Sequence, residues 1–198
     1  MKIYDISQEI FSCEVYPGDP KPEKKTLASI ANGDLYNLSA FSMCVHNGTH
    51  VDAPSHFIKD SADVSNIDLS RVVGYAYVTR FDGEMSENDA RQIITSARAK
   101  SEEAAKRILV AGKATVTGSA AKIFADSGLL LLGNESQSIG PIDAPMAVHL
   151  ALLSRGIVLL EGVRLEGVSE GVYLLSAAPL NLDSLEGSPC RAILISLD

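Results

Sequence analysis

Tryptophan is missing from this 198-residue chain, and cysteine and histidine are scarce, at three and four. The first absence removes the side chain most used to stack an aryl ligand. Cys13, Cys44 and Cys190 are odd in number, widely separated and without a C-x-x-C pair, which excludes a disulfide framework and predicts reduced intracellular thiols. Positive charge is also in deficit. Lys and Arg total 17 against 25 Asp and Glu, a net charge of −8, whereas a nucleic-acid partner requires a basic face. Long apolar runs are lacking too: the purely aliphatic stretches 129–132 and 157–160 are far too short to cross a bilayer. Asp5 and Glu9 interrupt the N-terminus where a signal peptide would be apolar, so the expected location is the cytoplasm, with no membrane partner. No repeat, low-complexity stretch or Pro/Gly/Ser linker divides the chain, so one domain is expected over 1–198.

What is present is an ordinary globular composition, 46% hydrophobic and 21% charged. The first seventy or so residues read as short strands joined by dense turn signals, Tyr16-Pro-Gly-Asp-Pro20, Asn32-Gly-Asp34 and Asn47-Gly48. The texture then changes. Residues 75–81, rich in aromatic and β-branched types, predict a strand. Ser86-Glu-Asn-Asp89 predicts a capping box that opens an alanine-rich helix running to about Lys106. Further strands are expected at 108–111, 129–132, 157–160, 172–175 and 192–197. Helices are expected at 119–126, stopped by Gly128, and from an Asp143 cap with Pro145 in the first turn to near Gly156. Alternating apolar strands and helices imply an α/β domain with a mostly parallel sheet covered by helices, beside a strand-rich N-terminal part.

Histidine is rare here, yet three of the four lie in the eleven residues His46-Asn-Gly-Thr-His50-Val-Asp52-Ala-Pro-Ser-His56. Clustered histidines with an aspartate are the mark of a divalent-metal site. His46 and His50 stand four apart, but Gly48, the β-branched Val45, Thr49 and Val51, and Pro54 argue against a helix. A straight strand would place His46 and Asp52 on one face, but roughly 20 Å apart at about 3.3 Å per residue. One ion with ligand bonds of about 2 Å cannot hold both. The chain must therefore bend, and Gly48 beside Asn47 is the residue free to do so, with Thr49 tying the bend and Pro54 stiffening the exit.

Two distant residues complete the constellation. His149 falls on the expected core face of the third helix, and Glu161 closes the apolar run from Gly156. A buried carboxylate without a partner costs several kcal/mol or stays protonated, so Glu161 requires a cation or donor. Arg164 or Arg191 could supply one, and so could an ion held by His46, His50 and Asp52. Cys44 would share the ligands' face on a strand, but is expected to be an inert thiol. Tyr16, Phe57 and Phe41 are candidates to line the pocket.

The segment from His46 to Phe57 resembles the H-x-G-T-H-x-D-x-P-x-H signature of the putative cyclase family, which includes bacterial kynurenine formamidase (arylformamidase) and isatin hydrolase. The resemblance extends to Tyr16-Pro-Gly-Asp-Pro20, to Leu132-Gly-Asn-Glu-Ser-Gln-Ser138, to His149 and Glu161, and to Pro189-Cys-Arg-Ala192. It implies a swivelling β/β/α fold, a homodimer or higher homo-oligomer, and one or two divalent ions, zinc or manganese. By motif position His46, His50 and Asp52 are ligands, completed by His149 and Glu161, and His56 is the catalytic histidine. Ser138, Glu135, Tyr16 and Phe57 are candidates for proton relay or substrate contact. The implied reaction is hydrolysis of an amide-type C–N bond in a small-molecule substrate. N-formylkynurenine, a tryptophan catabolite, is the best named candidate, and an isatin-type cyclic amide or mere metal-dependent ligand binding are the alternatives. The chain departs from the formamidase pattern in its short, aromatic-free segment 112–117 and in Glu135, where aspartate is commoner.

Overall fold

The computed structural model describes residues 1–196, so the last residue of the strand expected at 192–197 lies outside the described residues. The N-terminal part supplies β1 (Lys2–Asp5), the hairpin of β2 (Glu23–Ala28) and β3 (Leu38–Ser42), and the short buried β4 (His50–Asp52). Next come β5 (Val73–Arg80), β6 (Gly83–Met85), α1 (Glu87–Lys100), β7 (Arg107–Ala111), β8 (Ala114–Val116) and α2 (Gly118–Ala125). The chain ends with β9 (Leu131–Asn134), α3 (Met146–Leu153), β10 (Val158–Glu161), β11 (Gly171–Ser176), β12 (Gly187–Pro189) and β13 (Ile193–Ser196).

Among the described residues nine strands form one mixed sheet in the order β1-β13-β11-β5-β7-β9-β10-β4-β12. The four central strands, β5, β7, β9 and β10, are mutually parallel, as their continuous apolar character requires. Every other pairing in this sheet is antiparallel. The expectation of a mostly parallel sheet therefore holds for the helix-covered centre and fails for the flanks. The antiparallel neighbours are not joined to the centre by helices, so nothing in their local pattern announces the pairing.

Both faces of the central strands are buried. Tyr77, Ile108, Val110, Leu132 and Leu159 point to the helices and pack with Ile93, Ala97, Phe124, Leu152 and Leu153. Val78, Leu109, Leu131, Val158 and Leu160 point the other way and meet Val51, Val163, Leu175 and Leu194. Val51, Leu175 and Leu194 sit on the flanking strands β4, β11 and β13, so the sheet curls over its own second core. The β2–β3 hairpin stands apart from this sheet and leaves Leu27, Leu38 and Phe41 exposed.

The helix starts follow local chemistry. Ser86 accepts from the Asp89 amide, with the reciprocal bond from the Ser86 amide to the Asp89 carboxylate, and the Thr117 hydroxyl caps α2 by accepting from the Ala120 amide alone. Two expectations need correction. α1 ends at Lys100, and 101–106 form a bend and a 3-10 turn. Arg107 explains the stop: its buried guanidinium donates to the carbonyls of Ser70, Arg71 and Tyr75, which places the start of β7 away from the helix axis. Asp143 does not cap α3; residues 141–144 make a turn, and Pro145 occupies the cap without a side-chain bond.

Phe124 is fully buried where α2 meets the sheet. Phe124→Ala is expected to cost about 3–5 kcal/mol of unfolding free energy in a urea titration.

Candidate metal centre

β4 lies between β10 and β12, with His50 opposite Glu161 and Pro189, and Asp52 opposite Leu159 and Gly187. This antiparallel insertion brings the early histidine segment to the end of β10, and α3 delivers His149 from above. The bend expected before β4 is present: Gly48 is left-handed at φ +66°, and a Cβ there would sit 3.0 Å from the Cys13 Cβ. Asn47 accepts from the Cys44 amide, and the Gly48 amide donates to the Glu14 carbonyl. Thr49 does not close the bend on itself. Its hydroxyl donates to the Gly162 carbonyl at 2.7 Å and accepts from the Gln8 amide, which clamps the bend to the loop after β10. Gly162 is also left-handed, and a Cβ on it would approach the Gly48 carbonyl to 2.3 Å.

The five predicted donors converge. His46 Nδ1 lies 2.9 Å from Asp52 Oδ1, and His50 Nε2 lies 3.5 Å from that oxygen and 3.5 Å from Glu161 Oε2. His149 Nε2 lies 3.2 Å from Glu161 Oε1 and 3.6 Å from Asp52 Oδ2. Two groups of three therefore form, His46 with His50 and Asp52, and Asp52 with His149 and Glu161, and they share Asp52. Ligand atoms bound to one ion at about 2.0–2.2 Å stand roughly 3–4 Å from one another, so these separations fit a divalent ion.

The surrounding bonds orient the rings. His50 Nδ1–H donates to the Gly48 carbonyl at 3.0 Å and His149 Nδ1–H to the Pro145 carbonyl at 2.9 Å. Both arrangements leave the Nε2 lone pair for a ligand bond. Asp52 Oδ2 and His46 Nε2 are buried without a hydrogen-bond partner, a state that a bound ion or an adjusted acceptor would relieve. The two arginines considered as partners for Glu161 are engaged elsewhere, Arg164 with Glu14 and Arg191 with Asp5.

Electrostatics agree with a cation site. Burial raises the Asp52 carboxyl, but the His149 imidazole close by and the hydrogen bond from His46 outweigh it and hold the group well below the usual range. Burial lowers His149, yet Asp52 and Glu161 push it up to about 10. His50 shifts upward too: burial opposes the shift, and Glu161 and Asp52 prevail. Without an ion, protons take the cation's place. His56 moves the other way. Its burial lowers it, against the opposing pull of the Asp52 carboxylate, and favours the neutral ring.

His56 ends the 3-10 turn Pro54–His56 just after β4, where Pro54 starts the turn. Its ring lies 4.1 Å from the His46 ring and 4.4 Å from the Phe57 ring, and it belongs to neither donor group. Four of the five donors, His46, His50, His149 and Glu161, line a cavity of about 380 Å³, whose walls also include Tyr16, Phe57, Ser138 and His56. Phe57 lies against the His149 ring, 4.7 Å between centroids. Tyr16 donates to the Ile142 carbonyl, and the buried Ser138 hydroxyl has no partner.

Two candidates are not brought to the site. Glu135 accepts from the Gly112 and Leu165 amides and lines a separate cavity of about 550 Å³ with Lys113 and Arg164, so it braces two loops. That larger cavity holds neither donor group. Phe41 sits on the exposed hairpin edge-on to Phe11. Cys44 does reach the cavity wall. Its thiol faces Asp19, and burial raises it, so it stays protonated as expected of an inert thiol. Four wall residues were not legible as such in the sequence, Asp19, Gln137, Pro145 and Glu186. Asp19 was hidden in a turn signal, and Glu186 carries no local signal.

Residues 4–122 match the family model described as "Putative cyclase". The chain is 31% identical over 209 residues to a kynurenine formamidase of Delftia acidovorans (strain DSM 14801 / SPH-1), covering 99% of this chain and 98% of that one. A solved structure described as a potential metal-dependent hydrolase with cyclase activity is 26% identical, with a TM-score of 0.80 over 98% of this chain and 96% of that one. Isatin hydrolase A from Labrenzia aggregata shares the fold, with a TM-score of 0.85 at 20% identity over 100% and 94% of the two chains.

His149 also provides a stability test. A group raised from 6.5 to about 10 on folding stabilises fully below its unfolded value and loses that contribution as pH rises through the folded value. The melting temperature of chelator-treated protein is expected to fall between pH 6.5 and about 10. Metal-loaded protein, in which the ion replaces the proton, should show little of this decline in the same calorimetric series.

Proposed function

We propose that this chain, which belongs to the putative cyclase family, is a metal-dependent hydrolase of an amide-type C–N bond in a small molecule. The observation that carries the reading is the pair of donor groups that share Asp52 and bring four of their five members to one cavity, with His56 beside them and outside both. The sequence similarity to kynurenine formamidase makes N-formylkynurenine the first substrate to try, with kynurenine and formate as products. His46, His50, Asp52, His149 and Glu161 would hold one or two ions, zinc or manganese. Such an ion polarises a carbonyl and makes water acidic enough to ionise near neutral pH.

The chain's own residues account for the rest. His56, kept neutral by its burial, takes the proton as water adds to the carbonyl carbon, then returns it to the nitrogen as the C–N bond breaks. Its position after the stiff Ala53-Pro54 pair holds the ring against His46. The unpartnered Ser138 hydroxyl offers a hydrogen bond to the substrate, and Phe57 and Tyr16 supply the aromatic wall that tryptophan does not. The proposal extends to a single domain and to a homodimer or larger homo-oligomer, supported by the apolar side chains left exposed on the β2–β3 hairpin. We place the protein in the cytoplasm; no helix among the described residues is long and apolar enough to cross a membrane.

A screen of formyl-aryl amides and cyclic amides, run beside metal analysis, tests the reading. Turnover that is abolished by chelation and restored by zinc or manganese is expected. His56→Ala should keep its metal and lose about 10²–10⁴-fold in kcat. An unchanged rate in that variant would remove His56 from the mechanism. Metal uptake without turnover of any amide would favour a binding protein instead.

A further inference from the structure

The three histidines of the donor groups are not held alike. His50 and His149 each have the nitrogen opposite the ligand position bonded to a backbone carbonyl, of Gly48 and Pro145. His46 has no such carbonyl. Its Nδ1 faces Asp52 and His50, whereas its Nε2 is buried with no hydrogen-bond partner. Once Nδ1 lends its lone pair to an ion, the one proton of the neutral ring sits on Nε2. A buried N–H left without an acceptor is costly, so an acceptor must face it.

The group that faces it is Glu186, whose Oε1 lies 3.5 Å from His46 Nε2. The backbone sets this meeting. β12 pairs with β4 so that Gly187 lies opposite Asp52, and the Ala53 amide donates to the Glu186 carbonyl at 2.9 Å. Gly187 lets the imidazole lie against the strand, since a Cβ there would stand 2.6 Å from His46 Cε1. The ring is thus confined between the Gly187 backbone and the His56 ring, with its Nε2 edge toward Glu186. The half-exposed Glu186 side chain has room to close onto that edge.

We propose that Glu186 is a positioning residue of the metal centre, accepting the His46 Nε2–H and so fixing the tautomer that turns Nδ1 toward Asp52 and His50. This rests on the metal-site reading above. It gives His46 the outer partner that the other two histidines receive from the backbone, and loss of such a partner typically weakens metal binding 10–100-fold.

The test is a Co(II) titration of chelator-stripped full-length protein, followed by visible absorption, for wild type, Glu186→Ala and Glu186→Gln. Spectra of the ¹⁵N-histidine-labelled, Zn(II)-loaded proteins report the His46 tautomer. Glu186→Ala is expected to bind the ion of the His46–His50–Asp52 group about 10–100-fold more weakly and to lose the single Nε2-protonated state. Affinity at the Asp52–His149–Glu161 group should change little. Glu186→Gln retains an acceptor oxygen and should stay within a few-fold of wild type with the tautomer preserved. Unchanged Co(II) affinity and tautomer in Glu186→Ala would overturn the proposal. Equal weakening in both variants would also overturn it, because the carboxylate's charge, as a ligand or toward substrate, would then be what matters. A wild-type protein that takes up no Co(II) would instead bring down the metal-site reading itself, and this inference with it.

Discussion

Asp52 and Glu161 are carboxylates buried on adjoining antiparallel strands, and among the described residues their close polar neighbours are histidines and one backbone amide. Isolated charges in such a place are costly. The structure meets that cost in one of two ways, by protonating His50 and His149 or by binding a cation. Much of the surrounding architecture serves this arrangement. Gly48 bends so that His46 can return, Thr49 and Gln8 clamp the bend to the Gly162 loop, and Ile139 donates its amide to Glu161 at 2.7 Å.

The sheet explains why the donors meet. A purely parallel sheet would offer the site only strand ends and the loops that follow them. Here β4 runs antiparallel beside β10, so its own residues pair with the strand carrying Glu161. β12 then covers the outer edge of β4 and brings Glu186 and Gly187 against His46. The helices contribute one donor, His149, which lies on the α3 face that also buries Val148, Leu152 and Leu153. Packing of that apolar face against the sheet thus aims the imidazole.

Features that depend on local chemistry were legible in the sequence. The histidine cluster, the need for a bend at Gly48, the capping box at Ser86 and the inward face of α3 all follow from residue type and spacing. Glu161 was legible because a carboxylate at the end of an apolar strand is anomalous. Glu135, a candidate for relay or substrate contact, instead satisfies the Gly112 and Leu165 amides; a carboxylate that braces backbone and one that faces a ligand read alike in sequence. The antiparallel flanks and Glu186 were not legible, since both depend on pairings between distant segments. The overlong α1 arose where alanine propensity continued past Lys100 and the tertiary demand of Arg107 prevailed.

Asp52 is the common member of both donor groups, so removing its charge while preserving its shape addresses the central claim most directly. Metal analysis of Asp52→Asn beside His46→Ala and wild type is the measurement. The account predicts that Asp52→Asn loses metal from both groups, whereas His46→Ala loses it from one. An Asp52→Asn protein that folds and keeps the wild-type metal content would contradict it.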